Sequence, residues 1–445
     1  MSTKVKEFIG KTGQPAFFAA ITLPPTIYVA IDVAKFYCKA IIFDLNKRIL
    51  EKPFDFNITK NGLELLAGKI DFFAQKFDTR SVVIGLEPTA HYHEPLVEHL
   101  KNKNYQVYLI NPYATFKARS LNIDYVKTDN IDLKAISEAM LLHKGRKVED
   151  EPEIYGNLRR LTRFRRAKNL ERTTLKNQML RDLDRLWPSL IKYSKSSQGL
   201  FSDLWGSKTA RALFKLNLLP QQIVQLTSTE VVKTAKAKGV AGLGLGWAKK
   251  IIQHASQTLT CKDEIAGIHQ QVFQNNLKLL EGLDQLIEEL EKQIALMIHH
   301  TPAIHLLSIR GISSVTAGEF IAEIGNPAKY SHPGEIVRLA GLNPSSHQSG
   351  TIDRKTNHIT KVGNKFLRCT AVTIARNISR WEPLFINYRN KFLAKGRPIG
   401  VAYGAVANKF IRVAYKMLLK RADFDREYEK RILRDTERGR DLTQS

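Results

Sequence analysis

Along residues 26–145 the apolar positions follow two alternating periods. Short runs rich in β-branched and aromatic residues, TIYVAIDVA, CKAIIFDL, RILEKPFDF, SVVIGLE and YQVYLINP, predict five strands. Residues 61–77, 93–103 and 130–143 carry the wider spacing of amphipathic helices. Two adjacent hairpin strands, a third strand and then a β-α-β unit predict an α/β domain.

The rest of the chain reads as helical. Residues 158–185 place Leu158, Leu161, Phe164, Leu170, Leu175, Met179 and Leu183 at helical spacing. Residues 194–246 are richer in Ser, Gly and short helical pieces and read as a linker or small helical insert. Their GLGLG at 242–246 has too little context to be a phosphate loop. Phe273, Leu280, Leu283, Ile287, Leu290, Ile294 and Met297 then follow a 3-4 heptad, predicting a coiled-coil seam or a long bundle helix. LLSIRGISSVTAGEFIAEIG, at 306–325, predicts two helices joined by a tight turn at 309–312. It is either a helix-hairpin-helix presenting turn amides to a backbone phosphate or an αα-hairpin that only packs.

Charge changes this picture most. The 445 residues hold 69 Lys+Arg against 43 Asp+Glu, a formal net charge of +26, which favours a polyanionic partner, nucleic acid before an anionic membrane. Residues 158–185 carry ten Lys/Arg against three acids, making Arg159, Arg160, Arg163, Arg165 and Arg166 candidate nucleic-acid contacts. Residues 354–397 carry eleven Lys/Arg against Glu382 alone, interleaved with Phe366, Trp381, Phe385, Tyr388 and Phe392. Lys355, Lys361, Lys365 and Arg368 are the candidates there. From 421 onward the signs balance at seven and seven, so the tail reads as a solvated helix or a disordered end.

Cys38, Cys261 and Cys369 form no CxxC pair, which argues against a disulfide framework or a zinc knuckle and for a reducing, cytoplasmic setting. Lys4, Lys6 and Lys11 precede an apolar run at 16–23 in the manner of a signal peptide, but Pro24 and Pro25 stand where a cleavage site belongs. No stretch approaches the roughly 20 apolar residues of a membrane span.

Acids are scarce, so their placement in the α/β region is informative. Asp32 lies within the first strand, among β-branched neighbours where an ionised carboxylate needs a cation. Glu87 ends the fourth strand, and Asp129 and Asp132 share one face at the start of a helix. In a sheet of ribonuclease-H-like order these positions converge, and four carboxylates suit one or two divalent ions, Mg2+ or Mn2+ rather than zinc. Taken singly, Asp129 is equally a helix cap and Glu87 equally a lysine partner. Asp44 and Asp124 are spare carboxylates that fit less well.

IDVAK, LEPTAHY, NPYATFKARS and KTDNID resemble the first domain of the DEDD transposases of bacterial insertion sequences. IRGISSVTAGEFIAEIG, LAGLNPSSHQSG and HITKVGNKFLR resemble that family's C-terminal transposase domain, in the same order. The resemblance covers about two-thirds of the chain. Ala90 stands where many members have glycine, Leu133 where alanine is common, and residues 194–261 are longer than expected.

The resemblance implies a RuvC-like (ribonuclease-H-like) domain at 26–150 after an extension at 1–25. A basic helical linker and coiled coil then fills 151–300, a mainly helical C-terminal domain 301–420, and a charged tail 421–445. It implies a metal set of Asp32, Glu87, Asp129 and Asp132 with Mg2+ or Mn2+. Ser349, before Gly350, falls on the family's nucleophilic serine; beside it, the residues themselves offer Ser345 and Ser346 as competitors and His347 and His358 as either proton carriers or phosphate contacts. It further implies donor and target DNA, a structured guide (bridge) RNA, and RNA-guided recombination through a serine-DNA ester. A heptad seam that pairs protomers would make a homo-oligomer, dimer or tetramer, with sites shared between chains. Two other readings are a metal-dependent, junction-resolving nuclease using water and a non-enzymatic RNA-binding scaffold.

Overall fold

The computed structural model describes residues 25–120, 129–148, 151–192, 199–259, 263–344, 348–349, 352–353 and 359–427. The chain divides after Asp150 into two compact units.

The first unit is built on β1 (Ile27–Val33), β2 (Cys38–Phe43), β3 (Ile49–Phe56), β4 (Val82–Glu87), β5 (Gln106–Ile110) and β6 (Gly145–Lys147). They form one mixed sheet in the order β3-β2-β1-β4-β5-β6. β1, β2 and β3 pair antiparallel, β4 runs parallel to β1 and β5 to β4, and β6 closes the edge antiparallel to β5. Its helices are α1 (Lys60–Lys76), α2 (His93–Asn102), α3 (Pro112–Ser120) and α4 (Asp129–Leu141).

Strand alternation decides which helix covers which face. Val29, Ile31 and Val33 of β1 bury against Leu66, Ile70 and Phe73 of α1 and Leu96 and Leu100 of α2. Ala30, one position out of phase, buries with Ile136, Ala139 and Met140 of α4. Gly85 on β4 belongs to this second face, where a Cβ would overlap the Met140 side chain. Glycine there lets α4 lie close on the sheet.

The five expected strands and three expected helices are present, with ends shifted by at most two residues. β6 and α3 were not expected. β6 is Gly-Arg-Lys, without apolar alternation. α3 has no apolar stripe: its buried residues are the small Thr115 and Ala118, while Tyr113 and Phe116 are exposed.

The second unit is helical. α5 (Glu153–Leu186) is followed by α6 (Lys208–Leu216), α7 (Pro220–Val224), α8 (Ser228–Ala237), α9 (Leu245–Ser256) and α10 (Asp263–Ile298). α5 and α10 pack antiparallel, and the short helices fold over one end on a shared core that includes Trp187, Phe201, Leu213, Phe214, Ile251 and Phe273. The segment read as a linker or insert is therefore folded.

The heptad seam exists, but its partner is in the same chain. Phe273, Leu280, Ile287, Leu290 and Ile294 are all buried, and α10 packs along α5. A different stripe of α10, Ile265, Ile268, Val272 and Leu279, keeps a 3-4-7 spacing and stays exposed at 51%, 67%, 42% and 61%. The expected protomer seam is thus spent internally, and the exposed stripe lies on another face of the same helix.

α11 (Ser314–Ile324), α12 (Pro333–Leu339), the short strands β7 (Gln348–Ser349) and β8 (Ile352–Asp353), α13 (Lys365–Trp381), α14 (Pro383–Leu393) and α15 (Ile399–Lys420) complete the unit. Phe320, Ile374, Ile378, Phe385, Phe410 and Ile411 centre their core, which also takes Leu158 of α5 and Ile294 and Ile298 of α10. Between the expected helices of 306–325 the turn is present, but the first helix is a short 3-10 segment, Pro302–Ser308. Gly311 has φ +98°, and a Cβ there would meet the Asn377 backbone at 3.0 Å.

This turn mainly packs. The Arg310 amide donates to the Glu382 carboxylate at 3.1 Å, and Ser313 caps α11 by accepting from the Thr316 amide at 3.3 Å. An internal carboxylate occupies the place a phosphate would take at that amide. The start of the tail is exposed but tethered: Arg426 pairs with buried Glu382 at 3.1 Å and Phe424 stacks on Phe385. No helix among the described residues is long and apolar enough to cross a membrane.

Candidate functional site

Asp32 is the penultimate residue of β1 and Glu87 the last of β4, and the parallel register makes them direct partners. Register partners on adjacent parallel strands project to the same face, here the face of Ala30 and Gly85 that α4 covers. Glu87 is held from α3. Its Oε2 accepts from the Thr115 hydroxyl at 2.7 Å and lies 3.9 Å from Nη2 of Arg119. Arg119 also donates through Nη1 to Oδ1 of Asp132 at 2.7 Å. Thr115 and Arg119 are four residues apart on α3, so one helical face ties Glu87 on the sheet to Asp132 on α4.

Burial strengthens these contacts, since Glu87, Asp132 and Arg119 have side chains 19%, 13% and 26% exposed. Cys38 lies at the neighbouring end of β2. Burial pushes its thiol pKa up, and the nearby Asp32 carboxylate pushes it further, against a hydrogen bond with Ala34. The carboxylate oxygens here are of the type suited to a hard cation.

The structure thus brings Asp32, Glu87 and Asp132 to one end of one sheet face. Asp129 is the first residue of α4, one turn before Asp132; its side chain lies outside the described residues. Among the described residues no three His, Cys, Asp or Glu side chains approach closely enough to hold a metal ion. Asp44 is used in the β2–β3 turn, accepting from the Asn46 and Arg48 amides at 2.9 Å. Asp124 lies outside the described residues.

Ser349 ends β7 and pairs with Ile352 of β8. A bridge between Pro344 and Ile359 closes the base of this antiparallel excursion, helped by the Thr360 amide donating to the Asn343 carbonyl at 2.9 Å. Arg368 pins the same base by donating to the carbonyls of Ala340 and Lys361 at 3.0 and 3.1 Å. The Ser349 side chain, Ser345, Ser346, His347, Lys355 and His358 lie outside the described residues.

The basic helix is less free than its composition implies. Arg163 makes a two-pronged pair with buried Glu323 at 2.8 and 2.9 Å, joined by Asn364 at 2.6 Å. Burial alone would raise the Glu323 pKa, but these donors outweigh it and hold the carboxyl below its ordinary range. Arg165 pairs with Glu291 and Glu319, and Arg159 donates to the Ala322 carbonyl at 2.8 Å. These three arginines fasten α5 to α10 and α11. Arg160 is exposed, and Arg166 contacts Cys369 and the Phe366 ring. Lys361 and Lys365 are exposed, Lys365 lying 5.2 Å from the centre of that ring.

A family model described as a DEDD transposase of the IS110 group matches residues 29–188, and a second, the transposase IS116/IS110/IS902 family, matches residues 303–390. The chain is an IS110-family DEDD transposase. The two matches cover more than half of the sequence, and no curated protein matches it. The first match spans Asp32, Glu87, Asp129 and Asp132, and the second spans Ser349. Membership carries DNA-processing activity, DNA as partner, and divalent metal use as the family's habit.

Two residues of the transposase's carboxylate site escaped the sequence reading. Thr115 and Arg119 lie within NPYATFKARS, and their i, i+4 spacing was visible once a helix was assigned there. Ala90 has φ +44°, so the turn after β4 uses left-handed backbone that glycine adopts with less strain.

Proposed function

We propose that this transposase is an RNA-guided DNA recombinase whose RuvC-like domain uses Asp32, Glu87, Asp129 and Asp132 and whose nucleophile is Ser349. The observation that carries the reading is the register pairing of Asp32 with Glu87 beside the Arg119–Asp132 pair. The strand order, with β1, β2 and β3 antiparallel and β4 and β5 parallel to β1, supports the RuvC-like assignment.

The all-oxygen donor set fits Mg2+ or Mn2+, which when bound polarises the scissile phosphate and offsets charge developing on it. Thr115 and Arg119 keep Glu87 and Asp132 oriented. Ser349 Oγ attacks phosphorus, the bond to one DNA oxygen breaks, and that oxygen takes up a proton. The serine-phosphate ester retains the energy of the broken bond until a DNA hydroxyl attacks it and restores the serine. Exposed Arg160, Lys361 and Lys365, with Arg166 and Lys355, contact nucleic-acid phosphates, and the guide RNA supplies sequence choice by base pairing.

We assign homo-oligomer formation to the exposed α10 stripe, since the original seam is internal. A denaturing gel tests the chemistry. Protein should remain attached to cleaved DNA, and Ser349→Ala should remove the adduct while RNA and DNA binding persist. Cleavage without an adduct would favour the water-using nuclease, and absence of cleavage with tight RNA binding would favour the scaffold.

A further inference from the structure

Arg119 sits on oxygens that the proposed metal would use. Its Nη1 donates to Oδ1 of Asp132 at 2.7 Å, and its Nη2 lies 3.9 Å from Oε2 of Glu87. We propose that Arg119, besides orienting Asp132, is a rival cation built into the carboxylate site: it competes with the divalent metal for Glu87 and Asp132 and gives up Asp132 when the metal binds. The proposal rests on the reading of Asp32, Glu87, Asp129 and Asp132 as metal ligands and adds what controls their loading.

Charge requires the competition. A guanidinium stays protonated across the physiological pH range, so Arg119 cannot make room by losing its proton. A divalent ion on the same two carboxylates would face that positive charge at close range. The side chains of Arg119, Glu87 and Asp132 are only 26%, 19% and 13% exposed, so solvent screens the repulsion poorly. Either cation alone satisfies the carboxylates, whereas the two together repel.

The contact is of a kind that can release. Arg163 and Glu323 show the opposite case, with two bonds at 2.8 and 2.9 Å to a carboxylate only 3% exposed. That pair is fixed at both prongs. Arg119 makes one short bond to Asp132 and stands off Glu87. Its remaining bonds are long, 3.4 Å from Nε to the Thr115 carbonyl and 3.4 Å from Nη2 to the Thr115 hydroxyl.

Neither partner is stranded by the exchange. Glu87 keeps its bond from the Thr115 hydroxyl at 2.7 Å, which does not involve Arg119. Arg119 is the penultimate residue of α3, and the carbonyl end of a helix favours a cation there with or without Asp132.

The test is Mn2+ binding by the full chain freed of nucleic acid, read from the electron paramagnetic resonance of unbound Mn2+, with melting followed in EDTA and in Mn2+. Arg119→Met and Arg119→Gln, which remove the charge, should tighten Mn2+ binding about tenfold. Both should melt below the parent in EDTA, and saturating Mn2+ should close that gap. Arg119→Lys keeps the charge and should bind Mn2+ as the parent does. Weaker or unchanged binding in the neutral variants would overturn the proposal and leave Arg119 an orienting residue alone. Neutral variants that fold only with Mn2+ would support it, and neutral variants unfolded in both conditions would overturn it. Asp32→Asn separates this proposal from the reading beneath it. Parent binding that survives Asp32→Asn would reject the metal set, as would no binding by the parent or the neutral variants. Binding that Asp32→Asn abolishes but the neutral variants do not tighten would reject the rival cation alone.

Discussion

Asp32 and Glu87 face each other as register partners across the parallel β1–β4 pair. Two carboxylates so placed repel, as like charges directly opposite on adjacent strands do. Asp32→Asn should therefore raise the melting temperature slightly in the absence of divalent metal. The same variant should lose the stabilisation that Mn2+ gives the parent, about 2.7 kcal/mol at a hundredfold excess over Kd, and should lose cleavage. A parent-like Mn2+ response in well-folded Asp32→Asn would remove Asp32 from the metal set.

Glu323 makes stability depend on acid. Its folded-state pKa is depressed, so its contribution is complete above the ordinary carboxylate range and is lost as pH falls through the folded-state value. Glu323→Gln should destabilise the protein by about 2 kcal/mol near neutrality, because Arg163 loses a charged, two-pronged partner. Chemical denaturation at about pH 7 and about pH 3 should show the gap between parent and variant narrowing in acid. A gap that held constant would mean the carboxylate charge is not what binds α5 to α11.

Ala90 offers a stabilising change close to the site. Its φ of +44° strains an alanine and not a glycine. Ala90→Gly should gain about 1 kcal/mol, the left-handed penalty less the extra backbone entropy of glycine. A melting temperature below the parent's would show that the alanine methyl packs usefully.

Assembly provides the fourth prediction. Ile268→Glu with Leu279→Glu places charge on the exposed α10 stripe without touching the buried seam. Light scattering should show a smaller particle with unchanged helicity. In the parent assembly, mixing Asp32→Ala chains with Ser349→Ala chains should restore some adduct if sites are shared between protomers. No recovery in verified hetero-oligomers would place each site within one chain.

Strong local signals were legible in the sequence. β1 could be drawn around Asp32 because VAIDVA is a β-branched run, and Glu87 stood out as the acid that ends SVVIGLE. α3 was invisible because Thr115 and Ala118 bury small side chains, which leave no apolar stripe to read. Arg119 therefore could not be joined to Asp132 by spacing alone. Basic composition misled for a related reason. Arg163 and Arg165 look like phosphate contacts in a chain of net charge +26, yet their partners Glu323, Glu291 and Glu319 lie more than a hundred residues away, as does the Ala322 carbonyl that takes Arg159.

The sequence by itself determined the strand and helix periods, the order of the acidic positions, the surplus of positive charge and the heptad of α10, since each is a property of neighbouring residues. Only the tertiary structure decided how those features are used. It put Asp32 opposite Glu87 by fixing the register, spent the Phe273–Ile294 seam on α5, and turned Arg163 and Arg165 to glutamates of α10 and α11. It also folded 199–259 into a helical body on a core shared with α5 and α10. The physical reason is that a period tells which face of an element is apolar, whereas the partner for that face, and for every buried charge, comes from distant chain brought close by packing.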